Sequence, residues 1–311
     1  MKIYLAAPHS YPGMIGELMA GGDGSVFKKE GDTGGMRIFM AGGVSGNLKP
    51  FWNDTCQKMN QGETFRKATE ESMQAFLGKK NVPDISEHKP FILESFFYAD
   101  ENTEKLIPYF GDFLLDSGAF TFMQNTGGKI DWDDYADRYI QFINRNNIEK
   151  YIELDLDYII GVEGARKLRS RLESKTGRKS IPVWHPIRGK EDFLKMCDEY
   201  DYVALGGIVG KKWQGTEQYM PWFIKEAHKR GTKIHGLGFT KLTKLEQYHF
   251  DSVDSTAWTT GNRFGYLYFF TGKTMVKRDA PKGYRLADSR AVALHNYTEW
   301  IKFQKWADVH L

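Results

Sequence analysis

KIHGLGFTKLTKLEQYHFDSVDSTAW, residues 233–258, holds one complete strand–helix–strand repeat. KIHGLG (233–238) and FDSVD (250–254) are short apolar runs of the buried-strand kind, and the segment between them, 240–248, reads as a helix. The stretch FDSVDSTAW (250–258) carries two carboxylates, Asp251 and Asp254, with three hydroxyls. Burying a carboxylate costs several kcal/mol unless it is paired or hydrogen-bonded. These side chains therefore either hang off the end of the strand or are used.

The same unit recurs on both sides. Further strand-like runs are RIFMA (37–41), FILESFF (91–97), DFLLD (112–116), YIELDLD (151–157), IPVWH (181–185) and YVALGG (202–207). Between most of them lie helical patterns, at 64–77, 162–176, 190–199 and 216–230. DWDDYADRYIQFINRNN (131–147) is the clearest helix: Trp132, Tyr135, Ala136, Tyr139, Phe142 and Ile143 fall on one face, with Asp131 as N-cap and acids in the first turn. Eight strands alternating with helices predict an α/β fold of the (β/α)8 TIM-barrel type. The rival, a doubly wound open sheet, usually announces a Gly-rich turn after its first strand, and MAGGVSG (40–46) matches that only in part.

Three stretches fall outside the repeat. Residues 1–36 begin with a short strand-like run and continue through GGDGSVFKKEGDTGGM, a Gly-rich loop expected to be mobile and to order around a ligand. From Phe264 the chain adds an apolar strand, GYLYFF, a basic loop, KTMVKRDAPKGYR (273–285), and an amphipathic helix over about 288–307. No repeat or linker divides the chain, so 1–311 reads as a single domain: a barrel over 37–263 with N-terminal (1–36) and C-terminal (264–311) decorations.

With 311 residues, 41% of them hydrophobic and 14% aromatic, the chain can bury a large core. A net charge of +3 does not demand a nucleic-acid partner, although a local basic face can sit inside a balanced total. Two cysteines, Cys56 and Cys197, without a C-x-x-C, supply neither a disulfide framework nor a cysteine-rich zinc site. The opening MKIYLAAPHS has too short an apolar run for a signal peptide, and no segment approaches a membrane span. A cytoplasmic protein without a membrane partner is expected.

In a barrel, polar residues at strand C-terminal ends face the active-site mouth. Asp116 ends DFLLD, Asp155 and Asp157 end YIELDLD, His185 ends IPVWH, Gly206 and Gly207 end YVALGG, His235 lies in KIHG, and Asp254 ends FDSVD. A single strand-end Asp is as often a helix cap or turn former, and a lone buried His is usually a packed one. Convergence of several is what points to a site. Two carboxylates across one mouth suit chemistry at an acetal-like carbon, one attacking and one handling the leaving group's proton. Glycines beside them admit a flat polar base close to the backbone.

DSGAFTF (116–122), YVALGGIVG (202–210), IHGLGF (234–239) and FDSVDSTAW (250–258) resemble, in order and spacing, the strand-end motifs of the queuine tRNA-guanine transglycosylases, (β/α)8 enzymes that exchange guanine for a 7-deazaguanine. The likeness spans about 112–265, roughly half the chain. It implies that Asp254 is the nucleophile that forms a covalent glycosyl-enzyme, and that Asp116 is the second carboxylate, managing the proton at N9. Asp155 or Asp157, with Asp155 preferred, would read the base's N1–H and exocyclic amine. Ser117, Gly118, His185, Gly206, Gly207, His235 and Gly236 would complete the base pocket, and Asp251 is read as supporting Asp254. No organic cofactor and no metal is implied.

The chain also departs from that pattern. His185 stands where the tRNA enzymes carry Gln, His235 where an apolar residue is usual, the C-x-C-x-x-C zinc motif is absent, and TAWTTGNRFG follows Asp254 in place of the PTR run that grips the anticodon loop. This points to the branch, found in phages and bacteria, that inserts 7-deazaguanines into DNA, with DNA and the free 7-deazaguanine base as partners and tRNA as the alternative polymer. A retaining glycoside hydrolase is a further alternative, and so is an inactive nucleic-acid-binding barrel. Lys211, Lys212 and Arg263 would meet phosphates, and Trp213 and Trp258 would offer stacking surfaces unless they are packed indoles.

Overall fold

The computed structural model describes residues 3–5, 37–41, 49–77, 91–126, 130–207, 219–239, 241–279 and 289–311. Along them run β1 (Ile3–Leu5), β2 (Arg37–Ala41), α1 (Lys49–Asn60), α2 (Phe65–Leu77), β3 (Phe91–Ser95), α3 (Glu101–Leu106), β4 (Asp112–Asp116), α4 (Ala119–Thr126), α5 (Trp132–Arg145) and α6 (Asp157–Thr176). Then come β5 (Val183–Trp184), α7 (Gly189–Glu199), β6 (Tyr202–Leu205), α8 (Met220–Lys229), β7 (Lys233–Gly236), α9 (Leu242–Tyr248), β8 (Ser252–Ser255) and α10 (Ala257–Phe264). The chain finishes with β9 (Tyr266–Phe270), β10 (Met275–Asp279) and α11 (Ser289–His310).

Strands β2 to β8 make one parallel sheet in the order β4-β3-β2-β8-β7-β6-β5, and β1 pairs β8 off that path. The named strands leave the sheet open, with β4 and β5 at its ends. The strand expected at 151–157 is reduced to single parallel bridges, Leu115 to Tyr151 and Ile152 to Ile181. The Glu153 N–H still donates to the Ile181 carbonyl at 3.0 Å, but by Asp157 the chain is helical. What the strands establish is a mixed α/β architecture with a parallel sheet; they do not by themselves close a barrel.

Alternation along the strands decides which side chains meet. Leu93, Leu114, Ile152, Ile181, Val183 and Ala204 pack together on one face. Their neighbours Ile92, Val203, Leu205, Ile234 and Val253 pack instead with helix residues such as Trp52, Phe193 and Phe223. Two residues beyond Leu114, Val183 and Ala204 stand Asp116, His185 and Gly206, so all three are brought to the face away from those helices, at the strands' C-terminal ends. The register pairs Ala204 with His235 and His235 with Ser252. His235, Ser252 and Asp254 therefore share that face.

Helix α5 forms as its spacing predicts. Asp131 caps it, its Oδ1 accepting from the N–H groups of Asp133 and Asp134 at 3.0 Å each. Tyr135, Ala136, Tyr139, Ile140, Phe142 and Ile143 are buried, each large side chain contributing about 1.5–3 kcal/mol on burial. Two of its tyrosines also reach the sheet: Tyr135 donates to the Ser117 carbonyl at 2.6 Å, and Tyr139 donates to those of Leu115 (3.2 Å) and Ile152 (2.9 Å).

At the C-terminal end the expected basic loop is in part a strand. Residues 275–279 pair antiparallel with β9. Lys277 lies over the Tyr266 ring at 4.0 Å and Arg278 over that of Phe269 at 5.1 Å, so the cations sit on β9's aromatic faces. From α11, Asn296 Oδ1 accepts the Tyr268 N–H at 2.7 Å and Glu299 Oε2 accepts that of Phe270 at 2.5 Å. The expected N-terminal loop, beyond Leu5 to residue 36, lies outside the described residues. Among the described residues no helix is long and apolar enough to cross a membrane.

Candidate active site

Asp116 is the last residue of β4, and the chain turns sharply after it. The Gly118 N–H donates to Asp116 Oδ2 at 3.0 Å. Gly118 has φ +66, and a Cβ there would lie 2.4 Å from Ser95 Oγ and 2.8 Å from the Phe97 backbone nitrogen, so only glycine fits the turn. The Ser117 hydroxyl is turned back to the Ala119 N–H at 3.5 Å. Burial pushes the Asp116 carboxyl up to about 7; the Gly118 N–H opposes this, while the carboxylates of Asp254 and Asp155 raise it further. The charges of Asp254 and Asp155 thus both reach Asp116.

Asp155 pairs with His185, whose Nε2 lies 2.5 Å from Asp155 Oδ1. Burial alone would lower the imidazole's pKa, but the hydrogen bond and charge of Asp155, with Asp157 behind it, raise it above the ordinary histidine value. Gly206 makes room for this pair: a Cβ there would stand 2.4 Å from His185 Cε1 and 2.8 Å from its Nε2. The exposed Tyr158 ring meets the imidazole edge-on, with centroids 5.4 Å apart.

Asp157 is engaged elsewhere. Its two oxygens accept from Arg188 Nε at 2.6 Å and Nη2 at 2.7 Å, a bidentate pair with both side chains buried. The same Nη2 donates to Glu153 Oε1 at 3.0 Å, and Arg169 approaches that oxygen at 3.6 Å. Burial pushes the Glu153 carboxyl up to about 7 against the lowering pull of Arg188 and Arg169. Of the two acids expected to read a base, Asp157 is therefore a structural ion-pair partner, and Asp155 has the open position, its side chain 29% exposed.

Asp254 stands on β8. Its Oδ1 accepts from the Gly238 N–H and lies 3.3 Å from His235 Nε2. Gly236 packs against Phe239 and Phe250, either of which a Cβ would crowd at 3.1 to 3.2 Å, while Gly207 is exposed at φ +69. Asp251 does not support Asp254. It sits at the other end of the strand, where its Oδ2 accepts from the Ile234 N–H at 2.8 Å and lies 2.9 Å from His228 Nε2. Asp251 immediately precedes Ser252, where β8 begins, so its side chain leaves the chain on the opposite side from Ser252.

The flanking contacts expected of a polymer site divide differently. Trp258 is fully buried in the core and offers no stacking face. Lys211, Lys212 and Trp213 lie outside the described residues, as does the side chain of Arg263. The sequence reading missed Arg188, Ser252, Tyr202, Tyr135 and Tyr139. For Arg188 a signal existed: YIELDLD carries more acid than a buried segment can hold without a cation. No family model matches the chain, and no curated protein matches it.

Proposed function

We propose that the chain is a guanine transglycosylase that exchanges guanine in DNA for a 7-deazaguanine through a covalent glycosyl-aspartate. The observation that carries the reading is the approach of three acids: Asp116, half-buried and pushed up to about 7 by burial, also feels the charges of Asp254 and Asp155. The reading takes the parallel sheet as a (β/α)8 barrel, supported by the two bridges that link β4 to β5 through residues 151 and 152.

Asp254 attacks C1′ of the target nucleoside; the Oδ2–C1′ bond forms, the C1′–N9 bond breaks, and Asp116 in its neutral form gives its proton to N9 of the departing guanine. The incoming 7-deazaguanine then attacks C1′ through N9, its N9 proton returns to the Asp116 carboxylate, and the ester to Asp254 breaks. A pKa near neutrality suits one group that must act first as acid and then as base. Asp155, steadied by His185, is the acceptor for N1–H and the exocyclic amine of either base. The target guanosine has to leave its stack to present C1′ and its pairing edge together, at a cost of a few kcal/mol.

We take DNA as the polymer because the family's zinc motif and anticodon-gripping run are absent from the sequence. The test is to incubate the protein with a 7-deazaguanine and, separately, DNA or tRNA, digest the polymer and weigh the nucleosides. Exchange in DNA alone is the expected result; exchange in tRNA alone would change the polymer, and exchange in neither would end the proposal.

A further inference from the structure

Beneath Asp254 the sheet interior holds three polar side chains in line. The Tyr202 hydroxyl from β6 meets Ser252 Oγ of β8. Ser252 Oγ lies 2.7 Å from His235 Nδ1 on β7, and His235 Nε2 lies 3.3 Å from Asp254 Oδ1, at ion-pair distance but not in hydrogen-bond geometry. Ser252 and His235 are both fully buried, and the Tyr202 ring stands edge-on to the imidazole with centroids 6.4 Å apart. Burying this many polar atoms in a sheet interior costs free energy that an aliphatic layer would not. The arrangement comes from the register, which sets His235 beside both Ala204 and Ser252.

We propose that Tyr202, Ser252 and His235 form a one-directional hydrogen-bond relay that positions Asp254 for attack, with His235 as its positioning residue. A carboxylate oxygen facing Nε2 calls for a proton on that nitrogen. Nδ1 is then an acceptor, Ser252 donates to it, and Tyr202 donates to Ser252. Each donor points toward Asp254. The Gly238 N–H already donates to Oδ1; closing the 3.3 Å gap to Nε2 would put a second donor on Oδ1 and leave Oδ2 to form the bond to C1′.

The same two donors serve the second displacement. In the ester, Oδ1 is the carbonyl oxygen. When the incoming base breaks the Oδ2–C1′ bond, the electron pair returns to a carboxylate whose Oδ1 is already hydrogen-bonded.

This inference rests on the proposed role of Asp254, and one of its two tests is independent of that role. In the intact protein with 15N-labelled histidine, long-range proton–nitrogen spectra should give His235 as the Nε2–H tautomer, identified by the signal lost in His235→Gln. Ser252→Ala should yield a mixture of tautomers. An Nδ1–H tautomer in the wild type, or an unchanged spectrum in Ser252→Ala, would overturn the relay whether or not the protein exchanges bases. In the exchange assay, His235→Leu should lower kcat about 100-fold and Ser252→Ala about 10-fold, with KM for the base nearly unchanged. His235→Gln, which keeps a donor near Oδ1, should recover most of the rate. Wild-type kcat in His235→Leu, or a raised KM at constant kcat, would overturn it by showing that His235 touches the base; should His235→Leu fail to fold, Ser252→Ala decides. A wild-type protein that exchanges no base would remove the proposed function and leave the tautomer result standing.

Discussion

A Cβ at position 206 would stand 2.4 Å from His185 Cε1. The end of β6 and the imidazole after β5 are in van der Waals contact, and the imidazole in turn holds Asp155. Gly206→Ala should therefore push His185 off Asp155 while leaving both residues in the sequence. KM for the incoming base should rise about 10-fold, corresponding to one charge-assisted hydrogen bond, with a smaller change in kcat. Steady-state kinetics against base concentration check it, and an unchanged KM would separate Asp155 from base recognition.

If Asp116 serves as the proposed acid and base, the two half-reactions should have opposite pH dependences. Its carboxyl, pushed up to about 7, is mostly protonated below that pH and ionised above it. Displacement of guanine needs the acid form, so kcat/KM for the polymer should fall as pH rises through about 7. Capture of the incoming base needs the carboxylate, so kcat/KM for the base should rise over the same range. Asp116→Asn should lose both limbs and nearly all turnover while still binding DNA, as a gel-shift titration would report.

The buried Arg188 holds two carboxylates at once, and its loss should be felt in stability. Arg188→Leu strands Glu153 and Asp157 without their cation, a cost of about 3–5 kcal/mol. For the sign with pH, Glu153 is already pushed up to about 7. A carboxyl raised on folding binds more protons in the native state, so its penalty is absent below the unfolded carboxylate pKa, about 4, and grows as pH rises to the folded value. Thermal melts should accordingly show the largest deficit above pH 7 and partial recovery toward pH 5. A variant as stable as the wild type at pH 8 would contradict the ion-pair assignment.

Tyr135 anchors the turn that carries Asp116 by donating to the Ser117 carbonyl. Tyr135→Phe removes that bond and keeps the ring. It should cost about 1 kcal/mol of stability and lower kcat several-fold with KM little changed. Denaturant titration and kinetics on the same preparation read both.

Much of this site was legible along the chain. Short apolar runs announced the strands; Asp116 ends β4, His185 and Gly206 follow β5 and β6, and His235 and Asp254 lie one residue before the ends of β7 and β8. What a run cannot state is which side of the strand or which end a polar residue serves. Asp251 and Asp254 are three residues apart, hence on opposite faces, and only Asp254 reaches the site. Asp155 and Asp157 share a parity, yet the turn into α6 sends Asp157 to Arg188. Arg188 itself sits in PIRGK, which reads as loop, and nothing local says that its guanidinium folds back under two acids. Ser252 and Tyr202 are ordinary strand residues until the register sets them beside His235. The strand at 275–279 was hidden because its lysine and arginine look like loop until β9's aromatic faces are there to receive them.

The proposed exchange requires Asp254 to carry the sugar. The direct measurement is to incubate the protein with guanine-containing DNA without a competing base, quench in denaturant, digest, and map any nucleic-acid adduct by mass. An adduct is expected on the peptide containing Asp254 and none in Asp254→Asn, which should also exchange no guanine. An Asp254→Asn protein that exchanges labelled guanine at the wild-type rate, or an adduct mapped to another residue, would contradict it.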